Sequence, residues 1–164
     1  MRQETVEYVH LPSGSNLPKP EFLHRRVIVI IEQVAEEAWR DRISDWIAAS
    51  GCLYMMARGD DCSTWDDSVD HANLERFDYG DIPEESFIMT TWHDDEPLSE
   101  VFFHNQMCAF HPTIDLPLVT ILHIAETDQS EQILRAYQTQ RETMENEREA
   151  ERAGLAQQVR KFLS

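Results

Sequence analysis

The chain has 164 residues, 41% of them apolar, with 31 Asp and Glu against 14 Lys and Arg for a net charge of −17. That length suits one domain, and the apolar share supplies one core, which excludes disorder over most of the chain. No apolar run approaches the roughly 20 residues that span a bilayer. An acidic excess this large repels nucleic acid and anionic membrane and draws cationic partners.

The first residues, Met1 to Glu7, lack the apolar run of a signal peptide, so the expected address is the cytoplasm. Cys52, Cys62 and Cys108 are odd in number and unrelated in spacing, as reduced thiols are. The charge is uneven. Residues 59–96 hold 13 acids and one base, Arg76, and so carry −12 of the total.

In chain order, residues 1–24 read as an irregular arm. Val6, Tyr8, Val9 and Leu11 suit a short edge strand, and the proline-rich stretch from Leu11 to Pro20 excludes helix. The β-branched run Val27–Ile31 reads as a strand covered on both faces. Helix follows over about 34–50, where Ala35, Trp39, Ile43, Trp46 and Ile47 recur at three- and four-residue spacing before Gly51. Cys52–Ala57 is a second strand. Ser63 or Thr64, with Asp66 or Asp67 three residues on, marks the start of a second helix carrying Trp65, Val69 and Ala72. Phe87–Trp92 is a third strand, and Pro97 opens a third helix that His111-Pro112 ends. Leu118–Ala125 is a fourth strand, and a long helix begins near Thr127 or Asp128.

This alternation predicts one open, mostly parallel sheet of four to five strands with helices on both faces, plus a long C-terminal helix. The α/β domain spans 25–126 and the helical extension 127–164.

In such sheets ligands bind beyond the carboxyl ends of the strands. The residues there are Glu32, Asp60, Asp61, His93, Asp94, Asp95 and Glu96. Clustered carboxylates suit Mg²⁺, Mn²⁺ or Ca²⁺, which need several oxygen ligands. Glu32, Asp60, His93, Asp94 and Asp95 are therefore one candidate metal set. His104, Cys108 and His111 are another. On one helix they fall at i, i+4 and i+7 on a common face, a spacing that suits Zn²⁺. The competing reading makes Cys108 a small buried hydrophobe and takes His111, which precedes a proline, off the helix. Phosphate-cradling glycine loops, a Gly-x-Ser-x-Gly elbow, a CxxC pair and HExxH are all absent from the sequence.

Two further features point to binding. Asp60, Asp61, Asp66, Asp67, Asp70 and Glu75 lie in the acidic segment, and the helical spacing turns Asp66, Asp67, Asp70 and Glu75 away from Trp65, Val69 and Ala72 toward solvent. In the last helix, residues 138–151 are apolar only at Met144 and Ala150. Then Leu155, Ala156, Val159, Phe162 and Leu163 form a new apolar stripe. Such a stripe reaches another protomer, a partner, or the chain's own arm.

The run Phe87–Leu98, with Cys108 and His111-Pro112 downstream, resembles an uncharacterised bacterial family of small Rossmann-like α/β domains over about residues 25–126. The resemblance implies that fold and a cytoplasmic location, and no reaction. The expectation is then a non-enzymatic acidic interaction protein, an inhibitor, immunity-like protein or adaptor that needs no cofactor. Its 59–96 face binds a basic protein surface, and its C-terminal helix permits a homo-oligomer. The alternative is a hydrolase or phosphoryl-transfer enzyme dependent on a divalent metal. A third option is a small-molecule sensor in the same crevice.

Overall fold

Val27 to Ile31 sit at the centre of the molecule because a β-branched run buries both faces of a strand. In the computed structural model, which describes residues 3–163, this run lies within β2 (Arg25–Ile31), and all seven of its residues are buried. β2 is flanked by β3 (Cys52–Gly59) and β5 (Leu118–Ile124), with β4 (Met89–His93) and β1 (Thr5–His10) at the edges. The order is β1-β5-β2-β3-β4, and every pairing is parallel. The arm of the chain thus supplies an edge strand, which pairs with β5 from Thr5↔Leu118 to His10↔His123.

Side chains alternate along the strands and build two cores. On one face α1 (Glu37–Ala49) and α2 (Cys62–Glu75) cover Val27, Val29, Ile31, Met55 and Ala57 through Trp39, Ile43, Ile47, Trp65 and Val69. On the other, α3 (Leu98–Met107) and α4 (Ser130–Leu163) cover Ile28, Ile30, Met56, Val119 and Ile121 through Val101, Phe102, Ile133 and Tyr137. Each fully buried aliphatic side chain here stabilises the fold by about 1.5–3 kcal/mol.

Most boundaries shift by one to three residues from the sequence reading, the first helix starting at Glu37 and the strand before the third helix running Met89–His93; three of the differences bear on the site. α2 begins at Cys62, because Asp61 precedes it in the left-handed region (φ 52) and makes no side-chain cap; Ser63 and Thr64 already lie inside the helix. Pro97 stands just before α3 rather than at its first position. α3 also stops at Met107, four residues short of His111.

One polar network ties the layers together. Arg26 is fully buried and donates to the Leu116 and Asn105 carbonyls and to the Glu4 carboxylate. Glu4 also accepts from Tyr137 and from Gln106 and lies 3.4 Å from Arg141 of α4. The residue before β1, the start of β2 and two helices therefore share one carboxylate. Burial alone would raise the Glu4 pKa. The hydrogen bonds from Tyr137 and Gln106 and the Arg26 charge outweigh it and hold the carboxyl below its usual range.

Candidate functional site

β3 and β4 are neighbours, yet β3 leads into α2 on one face and β4 into α3 on the other. The two connections diverge and leave a crevice beyond the strand ends, as at any switch point of a parallel sheet. It encloses about 690 Å³ and is lined by Glu32, Arg58, Gly59, Asp60, Asp61 and the run His93–Pro97. Gly59 (φ 109) is required at its floor, since a Cβ there would overlap the Ile31 carbonyl. Asp61 (φ 52) and Asp95 (φ 55) turn the two rim loops through the left-handed region, which aspartate tolerates better than most residues.

Glu32, Asp60, His93, Asp94 and Asp95, chosen from strand ends alone, all line this crevice. Their functional atoms do not converge. Among the described residues no group of three or more His, Cys, Asp or Glu side chains is arranged to hold a metal ion. His93 is buried, with Nδ1 2.8 Å from Glu96 and Nε2 3.0 Å from the Thr91 hydroxyl. Glu32 turns to the other side, where its Oε2 lies 3.0 Å from Nε2 of the fully buried His123. Tyr8 accepts from the Gln129 N–H and donates its hydroxyl proton to His123 Nδ1 at 2.6 Å, which leaves the imidazole proton on Nε2 facing Glu32. That proton is not aligned with the carboxylate, so the contact is electrostatic rather than a hydrogen bond. Arg58 donates to the Glu96 carbonyl at 2.9 Å and adds a cation to the rim.

The helical premise for His104, Cys108 and His111 fails. With α3 ended at Met107, His111 has left the helix, as a residue before proline tends to. Its Nδ1 accepts from the Thr113 and Ile114 backbone N–H groups, so its Nε2–H donates to the Glu84 carbonyl at 2.9 Å. Neither nitrogen keeps a lone pair for a metal. His104 bonds the Tyr54 hydroxyl at 3.0 Å and packs edge-on against His93. Burial, with the nearby His93, depresses its pKa. Cys108 is exposed rather than buried.

The acidic segment is reorganised in one respect. Asp67, Asp70 and Glu75 face solvent, as do Asp60 and Asp61, but Asp66 does not: it is 4% exposed. α2 is covered on two sides, by α1 and by β4, so its buried arc extends past the Trp65–Val69–Ala72 stripe to take in Asp66 and Asn73. Burial raises the Asp66 pKa, and the charges of Asp70 and Asp67 raise it further. Asp70 is raised by burial and by Asp67, although it accepts from Thr90 at 2.7 Å. Across α2 lies an open groove of about 570 Å³, lined by Glu37, Asp41, Asp45, Asp67 and Glu75 with Arg40 and His71. Asp45 is raised there by burial, then by Glu75 and Asp41.

Two apolar features complete the surface. Phe87, Met89 and Trp92 are about half exposed along the β4 edge. α4 runs unbroken through Gly154, and its stripe of Leu155, Val159, Phe162 and Leu163 is exposed throughout. The sequence reading had the stripe but not the edge, because a period-2 pattern does not say which strand lies outermost.

Residues 6–140 match the model of a domain of unknown function, DUF7684, and the chain belongs to that family. The resemblance drawn from Phe87–Leu98, to an α/β family without assigned activity, is borne out. No curated protein and no solved structure matches the chain. Among the described residues, no helix is long and apolar enough to cross a membrane.

Proposed function

We propose that the domain is a non-catalytic docking module whose acidic side, formed by the α1–α2 groove and the crevice rim, binds a basic segment of another polypeptide. The observation that carries this reading is the row of carboxylates that lines the α1–α2 groove, Glu37, Asp41, Asp45, Asp67 and Glu75, set against Arg40 and His71. Within it Asp45 is raised by burial and then by the charges of Glu75 and Asp41. Carboxylates crowded in this way oppose folding, and a cationic ligand relieves the repulsion on binding. The crevice favours the same reading over metal chemistry, because its side chains are bonded to one another rather than aimed at a common point. An inhibitor, immunity-like or adaptor role uses such a face to accelerate encounter and to reject acidic partners.

The test uses the chain's own fluorescence. Trp39, Trp46 and Trp65 are buried while Trp92 is 55% exposed, so Trp92 reports on ligands at this side. An arginine-rich amphipathic peptide should shift its emission, bind more weakly as salt shortens the Debye length from ~10 Å at 0.1 M, and weaken again with Asp67→Asn and Asp70→Asn. Equal binding of an acidic peptide, or affinity indifferent to salt, would overturn the proposal.

A further inference from the structure

A strand at the rim of a sheet is paired on one side only, and proteins blunt such edges with charges, prolines or a covering segment. The two edges of this sheet differ. β1 carries a charged residue in its middle, Glu7, held by Arg25 and Thr120, and none of its large apolar side chains is exposed. β4 has β3 as its one strand neighbour, and Met89-Thr90-Thr91-Trp92 contains neither charge nor proline. Among the described residues, no hydrogen bond from outside the β3 ladder reaches the backbone of Met89 to Trp92. The strand therefore presents a row of outward N–H and C=O groups without partners.

The two faces of this edge call for different neighbours. Ile88 lies in the core beneath α1 and α2, and Thr90 donates to Asp70 of α2 at 2.7 Å, so Thr90 and Trp92 stand on the α2 face. That face is anionic. Asp70 is exposed, and one helical turn before it the buried Asp66 keeps an Oδ1 without a hydrogen-bond partner. Among the described residues, no cationic side chain acts on either aspartate. Phe87 and Met89 take the opposite phase and are half exposed on the α3 face, where His93, in the same phase, packs against His104. One face of the edge is anionic and aromatic, and the other is apolar.

We infer that the basic segment docks as an added strand on the β4 edge, a reading that rests on the docking function proposed above. The occupant is an extended run, matched to the 5 residues of β4, in which cationic and apolar side chains alternate. Its backbone completes the outward hydrogen bonds of Met89 to Trp92. Its cationic side chains fall on the α2 face, where a lysine or arginine opposite Thr90 meets Asp70 and packs on the Trp92 ring. Its apolar side chains fall on the other face, against Phe87 and Met89. Exposed side chains that project to both faces of one strand are matched by a period of two residues, which a docked helix does not have. A second copy pairing β4 with β4 is the disfavoured occupant. Each copy carries 13 acids against one base over residues 59–96, and the pairing brings those like charges together.

Synthetic peptides added to the full chain test this: an alternating Lys-Val hexapeptide, the same peptide N-methylated at every lysine, and the same peptide N-methylated at every valine. Along a strand the backbone N–H groups alternate in step with the side chains, so the amides of one residue type face β4 and those of the other face solvent. The parent peptide should shift Trp92 emission and slow hydrogen exchange over residues 87–93. One methylated peptide should bind like the parent, and the other should bind more weakly by roughly tenfold or more, having lost its row of donors. Met89→Lys, at an exposed position, should leave the circular dichroism unchanged and weaken the parent peptide by a similar factor. Methylated peptides that both bind like the parent, or that both lose binding equally, overturn the inference. So does protection confined to α1 and α2, and so does an unaltered affinity for Met89→Lys. Residues 87–93 already protected in a wild-type dimer, detected by light scattering, would place a second copy on the edge and equally overturn it. An arginine-rich peptide separates the two proposals. If it binds in a salt-sensitive way while the Lys-Val peptide does not, only the strand addition falls; if neither binds, the docking function falls too.

Discussion

Two groups of carboxylates in this molecule have opposite fates. Glu4 is enclosed completely, yet Arg26, Tyr137, Gln106 and Arg141 converge on it, and its pKa falls. Asp66 is buried and its neighbour Asp70 exposed, with a threonine hydroxyl and further aspartates for company, and their pKa values rise. The first group is a clasp between the N-terminal residues, the central strand and α4. The second is a surface kept charged against its own interest. What separates structural from available charge in this fold is therefore the count of donors around each carboxylate, not its burial.

The largest expected effect comes from breaking the clasp. Glu4→Gln leaves the fully buried Arg26 without its anion, and loss of one partner of a buried pair costs about 3–5 kcal/mol. The urea midpoint should fall accordingly, and a shift within error of the wild type would show that the clasp is not structural. Asp66→Asn should act in the other direction. Its Oδ1 has no hydrogen-bond partner among the described residues, and removal of the charge should stabilise by on the order of 1 kcal/mol at neutral pH.

The pH dependence sharpens the contrast. A carboxyl whose folded pKa is raised binds more protons in the native state, so it opposes folding above the ordinary aspartate value near 4 and not below it. The advantage of Asp66→Asn should vanish as pH falls through that range. Glu4, with a depressed folded pKa, contributes stability that is present above the ordinary glutamate value and lost as pH falls through the lower folded one. The penalty of Glu4→Gln should therefore persist to lower pH than the gain of Asp66→Asn. Thermal melts of both variants across the acid range would decide it, and parallel curves would erase the distinction. The smallest effect belongs to Thr90→Val, which removes the hydrogen bond to Asp70 and should cost about 0.5–1.5 kcal/mol.

The parallel α/β sheet and the acids at its strand ends were legible because they depend on local pattern, whereas the order of the strands was not. The β-branched run Val27–Ile31 and the acids after each strand are contiguous in sequence. What was not legible depends on separation or on coverage. Glu4 meets Tyr137 across 133 positions, and no spacing rule links them. Asp66 lies beside the apolar stripe of α2, and only the packing of both α1 and β4 on that helix encloses it. The start of α2 was misplaced because Asp61 enters it through a left-handed turn without a side-chain cap, where the pattern Ser63 to Asp66 imitated a capping box. His111 carried its own warning in Pro112.

The position of β1 has a consequence for how the chain reaches this state. Its strand partner begins at Leu118, 113 residues later, and its only earlier tie to the sheet among the described contacts is by side chains, Glu7 to Arg25 and the preceding Glu4 to Arg26. At roughly 5–20 residues per second, synthesis leaves β1 without its partner for roughly 6–23 seconds. The β2–α1–β3–α2–β4 portion, whose strand pairings are close in sequence, can assemble in that interval, while β5 must insert between β2 and the waiting β1. Completion of the sheet is then the late, slow step, because pairings of large sequence separation close the longest loops. A nascent chain arrested before Leu118 should be cleaved readily by protease within residues 3–10, and one extended past α4 should resist.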